Sequence, residues 1–352
     1  MDILEILYDN PPKTRRFLPR KVTVTDKKTI LFGPRGGGKS SIIIDHLSKY
    51  PQKDILYIDF SDLRVKSDDI KNLQNFIDKN RIKLVILEHY DFQCPLPNAS
   101  EIILSSTKAL HIKGFESIFV ALLDFEEFVS FDKKHQNIEH IFNFFANMGA
   151  YPSVLLGQEE AKYRHIQYML KSFLPACIDI LKELAPFQSR PLSIFEIYKL
   201  MRVKIPLSKD TVYKQIERLE NEFYIYFISK FNKKGVNRKF YFADFAVKNA
   251  LSFEKDFLAR FENIVFCELV KKRREIFYTD SIDFYLPSKN TGIICVPFLP
   301  PELIKRRFIK ISKELKLLSI ANLRVITLSN EGEFRQDSIS CEIIPFWEWA
   351  MG

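Results

Sequence analysis

The chain has 352 residues and a formal net charge of +9, and 46% of its residues are hydrophobic. This length is enough for two or three domains, and the composition is typical of a globular protein. No apolar run approaches the roughly 18 residues that a bilayer-spanning helix needs, which argues against a membrane protein. The five cysteines form no CxxC pair. Their scatter argues against a zinc site and a disulfide framework, and it predicts a cytoplasmic location.

The positive charge is concentrated in the middle of the chain. Residues 153–251 carry 17 lysines and arginines against 10 aspartates and glutamates, whereas 1–152 and 252–352 are nearly balanced. Such a local excess predicts an anionic partner, nucleic acid first. An ordinary solvated basic surface explains it equally well.

The first 150 residues alternate short apolar runs with helical stretches, which predicts a parallel α/β sheet. The runs are nearly continuous in apolar character, which indicates strands that are buried on both faces. The predicted strands are, in order, residues 29–32, 55–59, 84–87, 101–104 and 117–121.

A glycine-rich segment follows the first predicted strand and precedes a predicted helix. It reads Gly33, Pro34, Arg35, Gly36, Gly37, Gly38, Lys39 and Ser40. This is a complete GxxxxGK(S/T) phosphate-binding motif, in which the lysine reaches the β- and γ-phosphates and the hydroxyl of Ser40 binds Mg²⁺. Strand, glycine loop and helix set backbone N–H groups and a helix N-terminus against a polyphosphate. We therefore expect a nucleotide to bind residues 33–40 together with Ser41.

The middle third has a different pattern. Helices are predicted at 164–184 and 192–201, and Ser208 is predicted to cap a third helix with one apolar face. Two β-prone runs follow, at 224–231 and 239–242. Three helices and a hairpin in this order are typical of a winged helix.

The last hundred residues are predicted to form a small α/β module. It begins with a helix at 257–271, continues with short strands, and includes a basic amphipathic helix at 303–318. The predicted domains are therefore 1–152, 153–251 and 252–352.

Together these segments resemble a prokaryotic ATPase family of the AAA+/STAND type, often called archaeal-type. Besides the phosphate-binding loop, the segments that carry the resemblance are 59–64, 123–128, 148–152 and 238–244. The resemblance implies a P-loop NTPase core with a parallel sheet, an all-α and winged-helix domain, and a degenerate PD-(D/E)XK nuclease-like α/β domain. It also implies that ATP and Mg²⁺ are the ligands.

The chain departs from that family after the third strand. The family has Asp-Glu there, whereas this chain has Glu88, His89, Tyr90 and Asp91. Glu88 can still serve the Mg²⁺ shell. His89 stands at the position of the glutamate that orients the attacking water in the family. Asp91 or His89 itself would have to take over that function. We therefore expect ATP to bind well and to be hydrolysed slowly.

Two serines follow the fourth predicted strand, where the family has a polar sensor of the γ-phosphate. Ser105 and Ser106 occupy this place, and capping of the next turn explains them equally well. In the last module, Glu262 and Asp283 fit two acidic positions of the nuclease-like site. The strand at 292–296 lacks the acid and the lysine of the third position, so nuclease activity is not expected.

The basic residues of the predicted winged helix are candidate contacts to duplex DNA. They are Lys209, Lys214, Arg218, Lys233, Lys234 and Arg238. Winged helices also bind proteins, and the acidic residues of the same helix would repel DNA.

Two functions remain open at this point. One is an ATPase or nucleotide switch that moves its other modules, and ATP-dependent oligomerisation would favour it. The other is a nucleotide sensor without hydrolysis, which acts on DNA or on a protein through residues 153–251. Steady-state turnover distinguishes the two.

Overall fold

The computed structural model describes residues 3–13, 18–132, 136–204, 207–233, 235 and 237–352. The chain falls into two compact units. The first extends up to residue 122 and includes Asn221–Phe223, and the second comprises Leu123–Glu220 and Tyr224–Gly352. The three predicted domains, with boundaries at 152 and 251, stay a prediction.

The first unit is a mixed α/β structure. Its elements are α1 (Ile3–Asp9), β1 (Lys28–Phe32), α2 (Lys39–Leu47), β2 (Ile55–Asp59), α3 (Leu73–Asn80), β3 (Leu84–Glu88), β4 (Glu101–Ser106) and β5 (Glu116–Phe119). In the described part of this unit, five strands form one sheet in the order β2-β3-β4-β1-β5, and every pairing is parallel. The predicted parallel sheet and its strands are confirmed.

Both faces of this sheet are covered, which explains the apolar strands. Alternate residues of β3 lie on opposite faces. Val85 and Leu87 share one apolar cluster with Phe76 of α3. Ile86 shares the other cluster with Ile43 of α2. Because all strands run in the same direction, their carboxyl ends meet at one edge, where ligands of such sheets bind.

The second unit contains the remaining elements. They are α4 (Phe125–Ser130), α5 (Ile138–Met148), α6 (Pro152–Leu155), α7 (Lys162–Phe173), α8 (Ile178–Leu184), β6 (Pro191–Leu192), α9 (Ile194–Lys204), α10 (Lys209–Asn221), β7 (Ile225–Lys230), β8 (Arg238–Phe242), α11 (Val247–Leu251), α12 (Phe257–Val270), β9 (Phe277–Tyr278), β10 (Phe284–Leu286), β11 (Thr291–Cys295), α13 (Pro301–Leu317), β12 (Asn322–Thr327), β13 (Gly332–Gln336), β14 (Ile339–Pro345) and α14 (Phe346–Met351).

One sheet runs through the described part of this unit, in the order β13-β14-β12-β11-β10-β9-β7-β8-β6. The hairpin β7–β8 joins the later strands because β7 pairs in parallel with β9, at Ser229 and Phe277. The predicted boundary at 251 therefore falls inside the run of strands that builds a single sheet. Over the ranges described, the helices lack the combination of length and apolar character that spanning a bilayer requires.

The helices of the middle third agree with the prediction at two of three places. Ser208 Oγ accepts a hydrogen bond from the N–H of Thr211 (3.2 Å), as an N-cap does. The single helix predicted at 164–184 is wrong, because it is divided into α7 and α8. Pro175 begins the interruption, and Leu174 before it has the non-helical angles φ −134° and ψ 48°. The winged-helix assignment itself stays a prediction.

Candidate functional site

The loop between β1 and α2 is shaped by glycines with positive φ. Gly33, Gly36 and Gly38 have φ of 145°, 77° and 94°, a region that side chains rarely allow. A Cβ at Gly33 would lie 2.3 Å from the carbonyl oxygen of Val120. Gly38 precedes α2, and no described side chain caps this helix end. The N-terminal N–H groups of α2 are therefore available to an anion.

The side chain of Lys39 lies inside this loop and is 7% exposed. Its Nζ donates hydrogen bonds to the carbonyl oxygens of Gly33 and Pro34, both at 2.8 Å. Burial lowers the pKa of Lys39 to about 8, against the opposing effect of Glu88. A buried ammonium group whose hydrogen-bond acceptors are neutral carbonyl groups is stabilised further by an anionic partner. Lys39 therefore fits a phosphate group.

Glu88, at the carboxyl end of β3, is buried next to the phosphate-binding loop. Its Oε1 accepts hydrogen bonds from Ser40 Oγ (2.7 Å) and Ser105 Oγ (3.3 Å), and Oε2 accepts one from the hydroxyl of Tyr57. Hydroxyl and carboxylate oxygens are the ligands that Mg²⁺ prefers, and Mg²⁺ sites often use one or two carboxylates plus phosphates. The described residues contain no cluster of three or more His, Cys, Asp or Glu suited to another metal. The pair Ser40 and Glu88 therefore fits Mg²⁺.

The two predicted sensor residues are the last two residues of β4. Ser105 contacts Glu88 and also accepts a hydrogen bond from the N–H of His89 (3.1 Å). The carbonyl oxygen of Ser106 accepts a hydrogen bond from the N–H of Gly33 (3.3 Å). The hydroxyl of Ser106 accepts one from the N–H of Lys108 (3.1 Å), which is the turn-capping contact considered from the sequence.

Asp91, the second predicted catalytic carboxylate, lies apart from the buried cluster. Its side chain is 56% exposed and pairs with Lys108 at 3.2 Å. His89 instead points to Asp59 at the end of β2, and His89 Nδ1 lies 2.8 Å from Asp59 Oδ1. Burial acts to raise the pKa of Asp59, but hydrogen bonds from His89 and Ser61 outweigh it and lower that pKa. No local sequence pattern identifies Asp59 as a partner of His89, because this contact depends on β2 and β3 being neighbours in the sheet.

Arg20 is a second residue that the sequence did not single out. It precedes β1, and its guanidinium donates hydrogen bonds to the carbonyl oxygens of Gly37 and Ala121, the latter at 2.9 Å. These bonds tie the phosphate-binding loop to the segment after β5. No sequence pattern pointed to this role.

In the second unit, the structure brings the two nuclease-like acids together around a lysine. Lys239 Nζ, on β8, lies 2.9 Å from Glu262 Oε1 and 3.2 Å from Asp283 Oδ1. Burial, then the charge of Asp283, raises the pKa of Glu262 to about 7. Burial opposes the charge of Lys239, but the two carboxylates outweigh it and raise its pKa. An internal ammonium group thus lies between the two acids.

The candidate DNA contacts have different environments. Lys214 and Lys233 are exposed, on α10 and on the turn after β7. Lys209 lies over the rings of Phe195 and Tyr213. Arg238 is half-buried, pairs with Glu220 at 3.2 Å and lies over the ring of Phe227, 4.4 Å from its centroid. Arg218 is exposed on α10, and Lys234 lies outside the described residues.

The first unit is therefore a mixed α/β structure whose parallel sheet is consistent with a P-loop NTPase core, with the glycine-rich loop of residues 33–40 at the carboxyl edge of that sheet. No protein-family model matches the chain. The chain is 26% identical, over 421 aligned positions, to an uncharacterized protein of Methanocaldococcus jannaschii, and the alignment covers 99% of this chain and 94% of the relative.

Two solved structures show partial similarity to the chain. One is a Walker-type ATPase of Pyrococcus abyssi, with 18% identity, a TM-score of 0.44 and coverage of 70% of this chain and 99% of that one. The other is the Orc1 protein of Aeropyrum pernix in complex with DNA, with 12% identity and a TM-score of 0.31. That match covers 66% of this chain and 87% of the Orc1 chain.

Proposed function

We propose that this protein is an ATP-binding, Mg²⁺-dependent P-loop ATPase or nucleotide switch with slow hydrolysis. The observation that carries the proposal is the hydrogen bond from Ser40 Oγ to Glu88 Oε1 (2.7 Å), next to the buried ammonium group of Lys39. A phosphate-binding loop, a lysine and an acidic strand end are the parts that hold nucleotide phosphates in such proteins.

Each residue has a defined role in this proposal. Backbone N–H groups of the glycine-rich loop and of the first turn of α2 hold the phosphates, and Lys39 exchanges its two carbonyl partners for phosphate oxygens. Ser40 and Glu88 would hold Mg²⁺, which when bound neutralises charge on the phosphates. Ser105, which donates a hydrogen bond to Glu88, would respond to the terminal phosphate through that carboxylate.

Replacing Lys39 with alanine is expected to weaken ATP binding at least about 100-fold, because the only ammonium group inside the loop, among the described residues, is lost. The measurement is the titration of a fluorescent ATP analogue into the full chain, with and without Mg²⁺. Lys71→Ala, which removes an exposed lysine of the same unit, is the matched control and keeps the wild-type Kd. Full nucleotide affinity in Lys39→Ala would contradict the proposal.

A second candidate function is duplex DNA binding through residues 153–251. Lys214 and Lys233 are exposed, and Lys233 borders a groove that Phe195, Tyr213 and Arg238 also line. Exposed lysines contribute to phosphate contacts that weaken with salt. We also propose that a partner protein could bind the same groove instead of DNA. For the protein as a whole, we propose that it forms an oligomer when ATP binds and that it is located in the cytoplasm.

The variant Lys214→Ala/Lys233→Ala is expected to lower duplex affinity about tenfold and to reduce the salt dependence of binding by about two phosphate contacts. Fluorescence anisotropy with a labelled duplex at several salt concentrations measures both quantities. Lys182→Ala, which removes an exposed lysine of α8, is the control. If the wild type does not bind the duplex, or if the double variant binds it as tightly as the wild type, Lys214 and Lys233 do not form a DNA-binding surface.

A further inference from the structure

The residue after Glu88 adopts a backbone conformation that a non-glycine residue adopts only rarely. His89 has φ of 55°, in the left-handed region. Three hydrogen bonds hold it there. Its N–H donates to Ser105 Oγ (3.1 Å), its carbonyl oxygen accepts from Gln93 Nε2 (3.0 Å), and the next N–H, of Tyr90, donates to the carbonyl oxygen of Ser105 (2.8 Å). Such conformations persist where the surrounding contacts enforce them, and they are common at functional sites.

The imidazole ring has a defined tautomer in this conformation. Asp59 Oδ1 accepts hydrogen bonds from the N–H and the hydroxyl of Ser61, both at 2.8 Å, so it is an acceptor toward His89 as well. The proton of the neutral ring therefore lies on Nδ1, and Nε2 carries the lone pair. Among the described residues, Nε2 has no hydrogen-bond partner. The side chain of His89 is partly exposed, so water can reach the ring.

We propose that His89 is the catalytic group that accepts the proton of the attacking water, and that Asp59 positions it. This inference rests on the proposed ATPase function and assigns the water-activating role within it. An acceptor nitrogen oriented by a carboxylate behind it is the arrangement that activates water and hydroxyl nucleophiles in unrelated enzymes. In this chain, His89 stands at the position where the resembled family has a glutamate, directly after Glu88.

The reaction balances as follows for hydrolysis of ATP. The water oxygen forms a bond to the γ-phosphorus while the bond from that phosphorus to the β–γ bridging oxygen breaks. The bridging oxygen keeps the electron pair and leaves on ADP. One water proton moves to Nε2 of His89, and the Nδ1 proton stays hydrogen-bonded to Asp59 until the ring releases a proton to solvent.

The test separates nucleotide affinity from turnover in the full chain. His89→Ala is expected to lower kcat by about 100-fold or more, with the Kd for ATP within threefold of the wild type. Asp59→Asn is expected to lower kcat about tenfold or more, because the amide stabilises the wrong tautomer. His111→Ala and Asp62→Asn replace an exposed histidine and an aspartate of the same unit as matched controls, and both keep the wild-type kcat.

A double variant distinguishes positioning of His89 from a general structural role of Asp59. His89→Glu supplies an acceptor that needs no tautomeric partner, and it is expected to recover at least tenfold of the kcat lost in His89→Ala. In that background, Asp59→Asn is expected to lower kcat no further. A drop of equal size in both backgrounds overturns the positioning role of Asp59. Unchanged kcat in His89→Ala overturns the role of His89.

These outcomes are separate from failure of the proposed function. If the wild type does not bind ATP, the nucleotide titration of the wild type and Lys39→Ala already contradicts the proposed function. If the wild type binds ATP but its turnover equals that of Lys39→Ala, nucleotide binding stands and the role of His89 in hydrolysis is overturned.

Discussion

Replacing Lys239 with methionine is expected to lower the free energy of unfolding by about 3–5 kcal/mol, because it leaves two carboxylates close together without their cation. Methionine keeps most of the apolar stem of the side chain and removes the charge together with the N–H donors. Glu262 and Asp283 both bond Lys239 Nζ, and Glu262 Oε1 also accepts a hydrogen bond from the hydroxyl of Tyr241 (2.6 Å). The measurement is urea unfolding of the full chain.

The loss is expected to be larger at pH 8 than at pH 5. The folded-state pKa of Glu262 is about 7, above its ordinary value of 4.5. Its contribution to stability is therefore complete below pH 4.5 and is lost as the pH rises through 7. Without the ammonium group of Lys239, the pKa of Glu262 rises further, so that ionisation at pH 8 is more unfavourable.

Charge balance provides the internal check on this prediction. Adding Glu262→Gln to Lys239→Met removes one of the two carboxylates, so we expect it to recover part of the lost stability. Lys182→Met, at an exposed lysine of α8, is expected to change the free energy of unfolding by less than about 0.5 kcal/mol. A loss below about 1 kcal/mol for Lys239→Met at both pH values would show that the lysine is not needed between the carboxylates.

The lysine at this cluster also shows what the sequence could not predict. From the sequence, Lys239 belongs to the basic excess of residues 153–251, which an anionic partner and a solvated surface explain equally well. Lys239 lies 23 positions before Glu262 and 44 before Asp283. Only the pairing of β7 with β8 and the packing of α12 bring these side chains together, and no local pattern encodes that contact.

The phosphate-binding loop was predictable for the opposite reason. Gly33, Gly38, Lys39 and Ser40 are close in sequence, and the turn and the helix start that they form are local features. Glu88 was also predictable, as the residue that ends a buried strand. Asp59 was not, because its partner His89 is 30 positions away and the choice of neighbouring strands depends on the sheet order.

Asp244 joins two segments that the sequence analysis considered separately, and replacing it is the second change with a large expected effect. Its Oδ2 accepts hydrogen bonds from the N–H groups of Ala150 (2.8 Å) and Tyr151 (3.1 Å), and Oδ1 accepts one from Ala246 (2.7 Å). The side chain is fully buried. Asp244→Ala leaves three N–H groups without an acceptor, so we expect the free energy of unfolding to fall by about 3–5 kcal/mol.

The stability that depends on Asp244 is expected to decrease with rising pH. Burial raises its pKa from 3.8 to about 6, although the three N–H groups act to lower it. The protonated form is therefore favoured in the folded chain, and its contribution is present below pH 4 and is lost as the pH rises through 6. The difference in unfolding free energy between wild type and Asp244→Ala should shrink by about 2–3 kcal/mol between pH 4 and pH 7.5.

Gly149 supplies a partner substitution that tests the same contact from the other side. Its φ is 85°, and a Cβ there would lie 2.6 Å from Asp244 Oδ1. Gly149→Ala is expected to lower the free energy of unfolding by about 2–4 kcal/mol, from backbone strain and this clash together. In the Asp244→Ala background the clash with the carboxylate is absent, but the approach to Ala246 Cβ (2.9 Å) and the backbone strain of about 1–2 kcal/mol remain, so we expect a smaller loss.

The two substitutions are therefore expected to be less than additive, with a coupling of about 1–2 kcal/mol in a double-mutant cycle. Gly235→Ala, at a glycine with φ of 76° whose added Cβ would meet no atom within 4 Å, isolates the backbone strain as a control. Additive losses in the cycle would show that the carboxylate of Asp244 does not contribute to the requirement for glycine, which then comes from the backbone conformation and the approach to Ala246 Cβ. Coupling would show that glycine is required because the carboxylate of Asp244 must approach the backbone this closely to accept its N–H groups.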